Sequence, residues 1–363
     1  MRRSTRTRTG LKNALVFWPA LREIRRVKRL PLPALLAFCC FMLTAHAADS
    51  RQDFLKLIDR PRVAPDATLE ELPGTNGLVM YHFTFASESG QRVPGFLLKS
   101  AATKGRRPVV IALHGTGGSK SNMLPMCREL AARGFIAVAI DGRYHGERST
   151  GKGSYEAAIL SAWHGSGEHP FFYDSVWDVM RLVDYLQTRE DVDPARIGLT
   201  GISKGGIETY LTAAVDQRIA AAAPFIGVES FRWALDHNDW KGRTGTIQKT
   251  FDAIVKESNA TNLDTAMVQK FYDRVTPGIY GEFDGPAMVP LIAPRALFII
   301  NSDSDPHCPL PGVNECIEAA RKAYHDANAE DHLSVRIQEH TGHKVNPDSE
   351  RAMIDWFVKN LKP

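Results

Sequence analysis

The stretch RIGLTGISKGG, residues 196–206, carries the strongest structural signal in this sequence of 363 residues. Its first part, Arg196 to Thr200, predicts a short buried strand, and a helix is predicted from Gly205 to Ala214. Between them, Gly201-Ile202-Ser203-Lys204-Gly205 has the spacing G-x-S-x-G, in which small residues flank a Ser because the strand-to-helix turn is strained and crowded. We therefore expect Ser203 to stand exposed at the carboxyl end of a strand. The alternative is a glycine-rich turn whose Ser has no function.

Seven further stretches predict strands, and they alternate with helical stretches. The predicted strands are 78–85, 93–99, 108–113, 135–140, 220–225, 296–301 and 333–339, and the other predicted helices are 122–133, 175–187, 313–327 and 349–361. Such alternation is typical of an α/β fold with a mostly parallel sheet and helices on both faces. We predict one sheet of eight strands.

Two long stretches do not fit this alternation. Gly142 to Pro170 is rich in Gly, Ser and His without sustained periodicity, and Gly227 to Pro294 contains aromatic helical segments. Because loops of this length in compact domains are usually functional, we predict a pocket wall for the first and a helical cap, at about 227–294, for the second. The predicted organisation is a lead segment, 48–74, and one domain, 75–363. Four tryptophans in or beside the two stretches could stack on a ligand or pack in the core: Trp163, Trp177, Trp233 and Trp240.

A second glycine-rich motif, His114-Gly115-Thr116-Gly117-Gly118, follows the predicted strand 108–113. Backbone N–H groups in such a turn can stabilise the oxyanion that forms in acyl transfer. We predict two donors for an oxyanion hole, the amide of Thr116 and the amide of Lys204, which follows Ser203.

Two further motifs accompany them, Asp141-Gly142-Arg143-Tyr144-His145-Gly146 and Asp193-Pro194-Ala195-Arg196-Ile197-Gly198. Over roughly residues 75–361 the sequence resembles the α/β-hydrolase superfamily, in particular esterases similar to prolyl-oligopeptidase-type catalytic domains, dienelactone hydrolases and acetyl xylan esterases. The resemblance implies the α/β-hydrolase fold, with a nucleophilic Ser, an acid after the seventh strand and a His after the eighth.

Both implied positions contain a suitable residue. After the strand 296–301, the family register favours Asp305 as the acid, with Asp303 as the alternative. After the strand 333–339, His343 matches the family's Gly-His, with His340 as the alternative. An imidazole with an ordinary pKa of about 6.5 can take the Ser203 proton and return it to the leaving group, while the carboxylate fixes its tautomer.

Other polar residues give weaker signals. The Lys204 side chain could contribute charge to a substrate, although a surface position is the default. The first irregular stretch also contains four residues of metal-binding types, His145, His164, Glu168 and His169. Since these residues lack the spacing of known metal motifs, we predict no metal site and no cofactor.

Basic residues are concentrated at the N-terminus. Ten of the 45 Lys and Arg lie in the first 30 positions with Glu23 as the one acid there, which leaves 35 basic and 40 acidic residues elsewhere and no electrostatic argument for nucleic-acid binding. An apolar run from Leu30 to Leu43 precedes Ala45-His46-Ala47, a small-x-small cleavage site. We predict a signal peptide over 1–47, a secreted or periplasmic product and no stable membrane anchor after cleavage. The alternatives are an anchor or core helix, and lipidation at Cys39 or Cys40.

Cleavage would leave three cysteines, Cys127, Cys308 and Cys316. An odd number cannot pair completely within one exported chain. Cys308 and Cys316 could form a local bridge, or all three could be buried free thiols.

Taken with the resemblance, these residues predict a serine hydrolase that cleaves a small-molecule carboxylic ester through an acyl-enzyme on Ser203, with a sugar-linked ester as one option. A peptidase or aminoacyl hydrolase similar to prolyl-oligopeptidase-type domains is the nearest alternative. A non-catalytic binding module on the same fold is the second alternative. The sequence does not predict an oligomeric state.

Overall fold

The computed structural model describes residues 50–74 and 76–363, which form one large sheet with helices on both faces. The strands are β1 (Thr68–Leu72), β2 (Leu78–Glu88), β3 (Gln91–Ser100), β4 (Arg107–Leu113), β5 (Ile136–Ile140), β6 (Val192–Ile202), β7 (Ile219–Phe225), β8 (Ala296–Ser302) and β9 (Leu333–Gln338). Their order across the sheet is β1-β2-β3-β5-β4-β6-β7-β8-β9. The strands from β5 to β9 in this order pair in parallel, whereas β1, β2 and β3 are antiparallel to their neighbours.

The prediction of eight strands is wrong by one. The additional strand, β1, lies within the predicted lead segment and pairs with β2 in the register Thr68↔Thr84 to Leu72↔Met80. Its sequence, TLEEL, has four exposed residues followed by one of intermediate exposure. This strand is held by backbone hydrogen bonds to β2 at the sheet edge and has no buried face. Its sequence therefore lacks the hydrophobic pattern from which strands are predicted.

The helices lie in the connections between strands and after the last strand. They are α1 (residues 50–58), α2 (Leu124–Ala132), α3 (Ser154–Trp163), α4 (Tyr173–Gln187), α5 (Lys204–Val215), α6 (Phe231–Asp236), α7 (Lys241–Gly245), α8 (Gln248–Glu257), α9 (Thr265–Val275), α10 (Gly285–Met288), α11 (Leu310–Asp326) and α12 (Pro347–Leu361). Among the described helices, none is long and apolar enough to cross a membrane. The predicted signal peptide, 1–47, lies outside the described residues.

Two hydrophobic cores lie on opposite faces of the sheet. In β4, Val109 and Ile111 belong to the core that α4, α5 and α11 cover, whereas Val110 and Ala112 belong to the core that α2 and α12 cover. Successive residues of a strand point to opposite faces, so a strand covered on both sides must be apolar throughout. This arrangement confirms the predicted α/β fold with helices on both faces.

The stretch 142–170 was predicted to be irregular, but it contains the helix α3. The buried residues of α3 are Tyr155, Ala158, Ile159, Ala162 and Trp163. Small residues and an interrupted pattern at its start concealed this helix in the sequence. Five helices, α6 to α10, occupy the stretch 227–294 between β7 and β8, and two of them, α8 and α9, pack against α3. We call the residues 227–294 the insertion.

Candidate active site

Ser203 occupies the sharp turn between β6 and α5. Its backbone has φ 58° and ψ −115°, a strained conformation for a residue with a side chain. A Cβ atom at Gly201 would lie 2.3 Å from the carbonyl oxygen of Gly205, and one at Gly205 would lie 2.4 Å from that of Leu113. The two flanking glycines are therefore required by close backbone approach, as the motif predicted.

The structure brings Ser203, His343 and Asp305 into one hydrogen-bonded chain. The distance between Ser203 Oγ and His343 Nε2 is 2.7 Å, and His343 Nδ1 lies 2.7 Å from Asp305 Oδ2 and 3.0 Å from Oδ1. Because a carboxylate can only accept here, it places the proton of the imidazole on Nδ1 and leaves the Nε2 lone pair directed at the Ser hydroxyl. This geometry allows Nε2 to accept the hydroxyl proton.

The electrostatics of Asp305 agree with that arrangement. Burial alone would raise the pKa of its carboxyl, but the hydrogen bond and charge of His343 outweigh burial and hold the pKa below its usual value. Asp305 is therefore ionised over the whole neutral range and can stabilise a protonated His343.

The alternative residues, Asp303 and His340, have different surroundings. The Asp303 carboxylate accepts backbone N–H groups from His340 at 2.7 Å and Thr341 at 3.1 Å, and thus fixes the turn after β9. His340 is exposed and has a positive φ of 48°. Neither side chain joins the hydrogen-bonded chain at Ser203.

The glycine-rich turn after β4 lies against the Ser203 turn. A Cβ atom at Gly115 would lie 3.2 Å from the carbonyl oxygen of Ile202 and 3.5 Å from Ser203 Cβ. The amide of Gly117 already donates to His145 Nε2 at 3.1 Å. The amide of Thr116 makes no hydrogen bond within residues 50–74 and 76–363, and the amide of Lys204 lies in the first turn of α5, where helix amides lack internal partners.

Two histidines, His114 of the motif itself and His145, hold this turn, a role that the sequence did not predict for them. His114 Nδ1 donates to the carbonyl of Gly115 at 2.8 Å, and His114 Nε2 accepts the amide of Gly142 at 3.0 Å. Burial, followed by the charge of Lys204, lowers the pKa of both His114 and His145 to about 3. Both rings are therefore neutral at physiological pH, which each needs to accept a backbone N–H.

The Lys204 side chain is neither at the surface nor directed to a substrate, so the default interpretation is wrong. It is 1% exposed, and its Nζ pairs with Glu208 Oε1 at 2.6 Å within the first turns of α5. Burial raises the pKa of Glu208, and Lys204 opposes that shift. The helical spacing i, i+4 that joins the two residues is visible in the sequence, but their burial is not.

A cavity of about 410 Å³ opens beside Ser203 and His343. Its lining is Gly115, Thr116, Ile202, Ser203, Ile226, Thr246, His307, His343, Lys344 and Val345. The insertion contributes one of these residues, Thr246. The four tryptophans do not line the cavity.

The tryptophans pack elsewhere. Trp177 donates its indole N–H to the carbonyl of Ser87 at 3.1 Å, Trp240 donates to Thr265 Oγ1 at 3.1 Å, and Trp233 stacks on His237 with ring centroids 4.2 Å apart. Trp163 packs against Phe271 of α9 with ring centroids 6.3 Å apart.

The four residues of metal-binding types in 142–170 have separate partners. His145 and Glu168 accept from Gly117 and Tyr144, His164 pairs with Glu257, and His169 contacts the carbonyl of Val275. Among the described residues, the potential ligand atoms that lie close together belong to Asp305, His307 and His343, within 4.8 Å of one another. Because Asp305 and His343 already hydrogen-bond to each other, we interpret this group as part of the acid–base chain.

The loop that begins with Asp141 is held by buried ion pairs. Asp141 accepts from the backbone amide and the ammonium of Lys120, at 2.8 and 2.7 Å. Arg143 binds both carboxylate oxygens of Asp178 on α4, each at 3.0 Å. These ion pairs fix the loop, and no residue of 142–170 is among those that line the cavity beside Ser203.

Comparisons with known proteins point to one family. The model of the acetyl xylan esterase (AXE1) family matches residues 55–239. "Putative hydrolase YtaP" of Bacillus subtilis (strain 168) is 26% identical over 284 residues, which cover 74% of this chain and 84% of that protein. The 4-O-methyl-glucuronoyl methylesterase of Neurospora crassa is 26% identical over 208 residues, 56% of this chain and 48% of that protein, so the match spans about half of this relative's length.

Among solved structures, the acetyl xylan esterase from Paenibacillus sp. R4 superposes with a TM-score of 0.64 and 20% identity, covering 86% of this chain and 93% of that one. At 20% identity, this similarity shows a shared fold and nothing further. The family match spans half of the chain and includes the Ser203 turn, so the chain belongs to the acetyl xylan esterase family and is a carboxylic ester hydrolase with the α/β-hydrolase fold.

Proposed function

We propose that the protein hydrolyses an ester through an acyl-enzyme on Ser203, with His343 as general base and Asp305 as the acid that orients it. The observation that carries the proposal is the continuous chain from Ser203 Oγ through His343 to Asp305, with both hydrogen bonds at 2.7 Å. In the first step, Ser203 Oγ attacks the ester carbonyl while His343 Nε2 takes its proton. The negative charge that develops on the carbonyl oxygen is stabilised by the amides of Thr116 and Lys204.

His343 then gives this proton to the departing alcohol, and the acyl group remains on Ser203. A water molecule enters, loses its proton to His343 Nε2 and attacks the acyl carbon. Collapse of the second tetrahedral intermediate releases the carboxylic acid and restores Ser203. Every proton passes through one imidazole nitrogen, and Asp305 stays ionised throughout.

We propose a small acyl ester of a carbohydrate, in the first place an acetyl ester, as the substrate. The name of the family and that of the structural relative from Paenibacillus, acetyl xylan esterase in both cases, support this class. The cavity supports it as well, since Thr116, Thr246 and His307 offer polar contacts while Ile226 and Val345 provide an apolar side. The relatives named 4-O-methyl-glucuronoyl methylesterase make a glucuronoyl ester the second candidate.

We further propose the predicted domain organisation, in which the lead segment 48–74 adds α1 and β1 to a catalytic domain over 75–363 and the insertion is a cap. Thr246 on the cavity wall supports the cap. Export is proposed on the basis of the N-terminal sequence 1–47, and mass spectrometry of the N-terminus of the mature protein tests whether cleavage follows Ala47.

The test of the function compares the wild-type protein with Ser203→Ala on 4-nitrophenyl acetate, acetylated xylan and a methyl glucuronoyl ester. Loss of the nucleophile is expected to lower kcat by a factor on the order of 10⁶, with an unchanged Tm and no labelling by a fluorophosphonate. Retention of more than about a tenth of the rate would contradict the role of Ser203, since loss of a coupled nucleophile costs far more. Cleavage of the glucuronoyl ester without acetyl release would select the second substrate class, and a folded wild-type protein that is neither labelled by the fluorophosphonate nor active on any of these esters would favour a binding module.

A further inference from the structure

The loop that carries Asp305 is in direct contact with α7 of the insertion. A Cβ atom at Gly242 would lie 1.7 Å from the carbonyl oxygen of Pro306, 2.5 Å from its carbonyl carbon and 3.2 Å from His307 Cδ2. Real Cβ atoms do not approach backbone atoms so closely, so Gly242 is required by this contact. The backbones of α7 and of the loop 305–308, which we call the acid loop, therefore touch without an intervening side chain.

The next residue, Arg243, reaches from α7 into the buried space behind the acid loop. Its side chain is 5% exposed, and its Nη2 donates to the carbonyl oxygen of His307 and contacts Cys308 Sγ, both at 3.1 Å. The same nitrogen lies 2.5 Å from Glu229 Oε1, and the Glu229 side chain is 1% exposed. The guanidinium is thus held between an acid at the start of the insertion and the backbone of the acid loop.

Two hydrogen bonds connect Arg243 to Asp305 through one residue. Arg243 Nη2 donates to the carbonyl of His307, and the amide of His307 donates to Asp305 Oδ1 at 2.8 Å. The carboxylate accepts His343 Nδ1 with the other oxygen at 2.7 Å. A shift of His307 would therefore move the carboxylate relative to the imidazole.

Arg243 pairs with Glu229, which no step of the proposed reaction uses, and burial raises the pKa of that carboxyl to about 8 against the opposing charge of Arg243. A buried guanidinium without a counter-charge would cost several kcal/mol, so the acid permits the arginine to remain in this position. Neither oxygen of Glu229 makes an aligned hydrogen bond within the described residues, which leaves the ion pair as its compensation.

We propose that Arg243 is a positioning residue for the catalytic acid, acting through the His307 carbonyl, and that α7 of the insertion holds the acid loop in its productive place. The proposal rests on the proposed function of Asp305 and His343. The insertion thereby supports the reaction as well as the cavity wall, since a misplacement of about 1 Å at a reacting group can cost about 10²-fold in rate.

The experiment uses the full protein with Arg243→Gln, Glu229→Gln, the double variant and Gly242→Ala. The matched control is Arg274→Gln, because Arg274 lies on α9 of the same insertion and donates to the carbonyl of Trp163 at 2.9 Å, away from the acid loop. The measurements are kcat and KM on 4-nitrophenyl acetate, Tm, and the downfield proton NMR signal of His343 Nδ1–H.

Arg243→Gln is expected to lower kcat by about 10²-fold with KM nearly unchanged, and to shift or broaden the Nδ1–H signal. Gly242→Ala should act in the same direction. Glu229→Gln should lower kcat less than Arg243→Gln, because the arginine loses its partner but keeps its hydrogen bond to His307, and the control Arg274→Gln should keep kcat within about threefold. The double variant should stay as slow as Arg243→Gln. If the double variant instead recovers the wild-type kcat, Arg243 only neutralises Glu229, and the positioning role is wrong.

An unchanged kcat and an unchanged NMR signal in Arg243→Gln and in Gly242→Ala would also overturn the proposal. If Arg243→Gln does not fold, Gly242→Ala and the double variant decide the same question. If the wild-type protein hydrolyses no ester, the proposed function fails, but the Nδ1–H signal still reports whether Arg243 and Gly242 hold Asp305 on His343.

Discussion

Asp303 and Asp305 are two residues apart, yet their carboxylates have different partners, so conservative substitutions should separate them. In Asp305→Asn the side-chain amide can donate as well as accept, so it no longer fixes the imidazole proton of His343 on Nδ1. We therefore expect kcat to fall by about 10⁴. Asp303→Asn weakens a turn that backbone amides of His340 and Thr341 hold, and should change Tm more than kcat. The measurement is kcat and Tm for both variants with the same ester, and the reverse ranking of kcat would assign the acid to Asp303.

The residues around Ser203 show what a sequence can reveal about a site. The turn at Ser203 is a local feature, since Gly201 and Gly205 are needed within five consecutive residues, and it was predictable. The roles of His114 and His145 depend on backbone amides that lie 28 residues away in each case, at Gly142 and Gly117. Such partners become adjacent only when the strands pair, so no local sequence pattern predicts them.

The contact between α4 and the loop after β5 predicts how stability depends on pH. Burial alone would raise the pKa of Asp178, but Arg143 and Arg148 outweigh burial and hold the pKa well below its usual value. Because the folded-state pKa is depressed, this stabilisation is present above about pH 4 and is lost as the pH falls below that value. Removing one partner of a buried pair costs about 3 kcal/mol, so Asp178→Asn should lower the unfolding free energy at pH 7 by that order.

The matched control for Asp178→Asn is Asp355→Asn, whose partner Arg133 lies at 2.8 Å on the surface. An exposed pair of this kind contributes about 0.5 kcal/mol or less. Urea unfolding at pH 7 and at about pH 3 measures both variants. If the difference between Asp178→Asn and the wild type does not narrow at the lower pH, the ionised carboxylate is not the source of the stabilisation.

The insertion reaches the cavity through Thr246 at the end of α7, which predicts where substrate selectivity lies. Thr246 Oγ1 donates to the carbonyl of Arg243 at 2.8 Å, and this hydrogen bond fixes the rotamer of the Thr246 side chain. Thr246→Phe should lower kcat/KM for bulky esters by about 10-fold more than for 4-nitrophenyl acetate, because the added ring narrows the cavity. Fluorophosphonate labelling of Ser203 should persist. Trp233→Ala is the control, and an equal effect of Thr246→Phe on all esters would contradict a role in selectivity.

The limits of prediction for the larger elements have physical reasons. The buried strands, such as PVVIAL at 108–113, were predictable because coverage on both faces demands continuous apolar sequence. The edge strand β1 was not, because its exposed TLEEL sequence is held by backbone pairing. The insertion was recognisable as additional chain between two neighbouring strands, but the burial of Arg243 against the acid loop depends on contacts across 64 residues.

The three thiols within residues 50–74 and 76–363 provide a further prediction for the whole fold, because Cys127, Cys308 and Cys316 are all free and buried. Burial raises the pKa of Cys127 to about 12 and places those of Cys308 and Cys316 well above the ordinary value. The thiolate is the reactive form, so these cysteines should resist alkylation in the native protein and react after denaturation. Mass mapping of the labelled peptides measures each site, and Ala102→Cys, at an exposed position, is the reactive control. A disulfide-linked peptide containing Cys308 and Cys316 would contradict free thiols, and native labelling of Cys308 would show that the acid loop opens in solution.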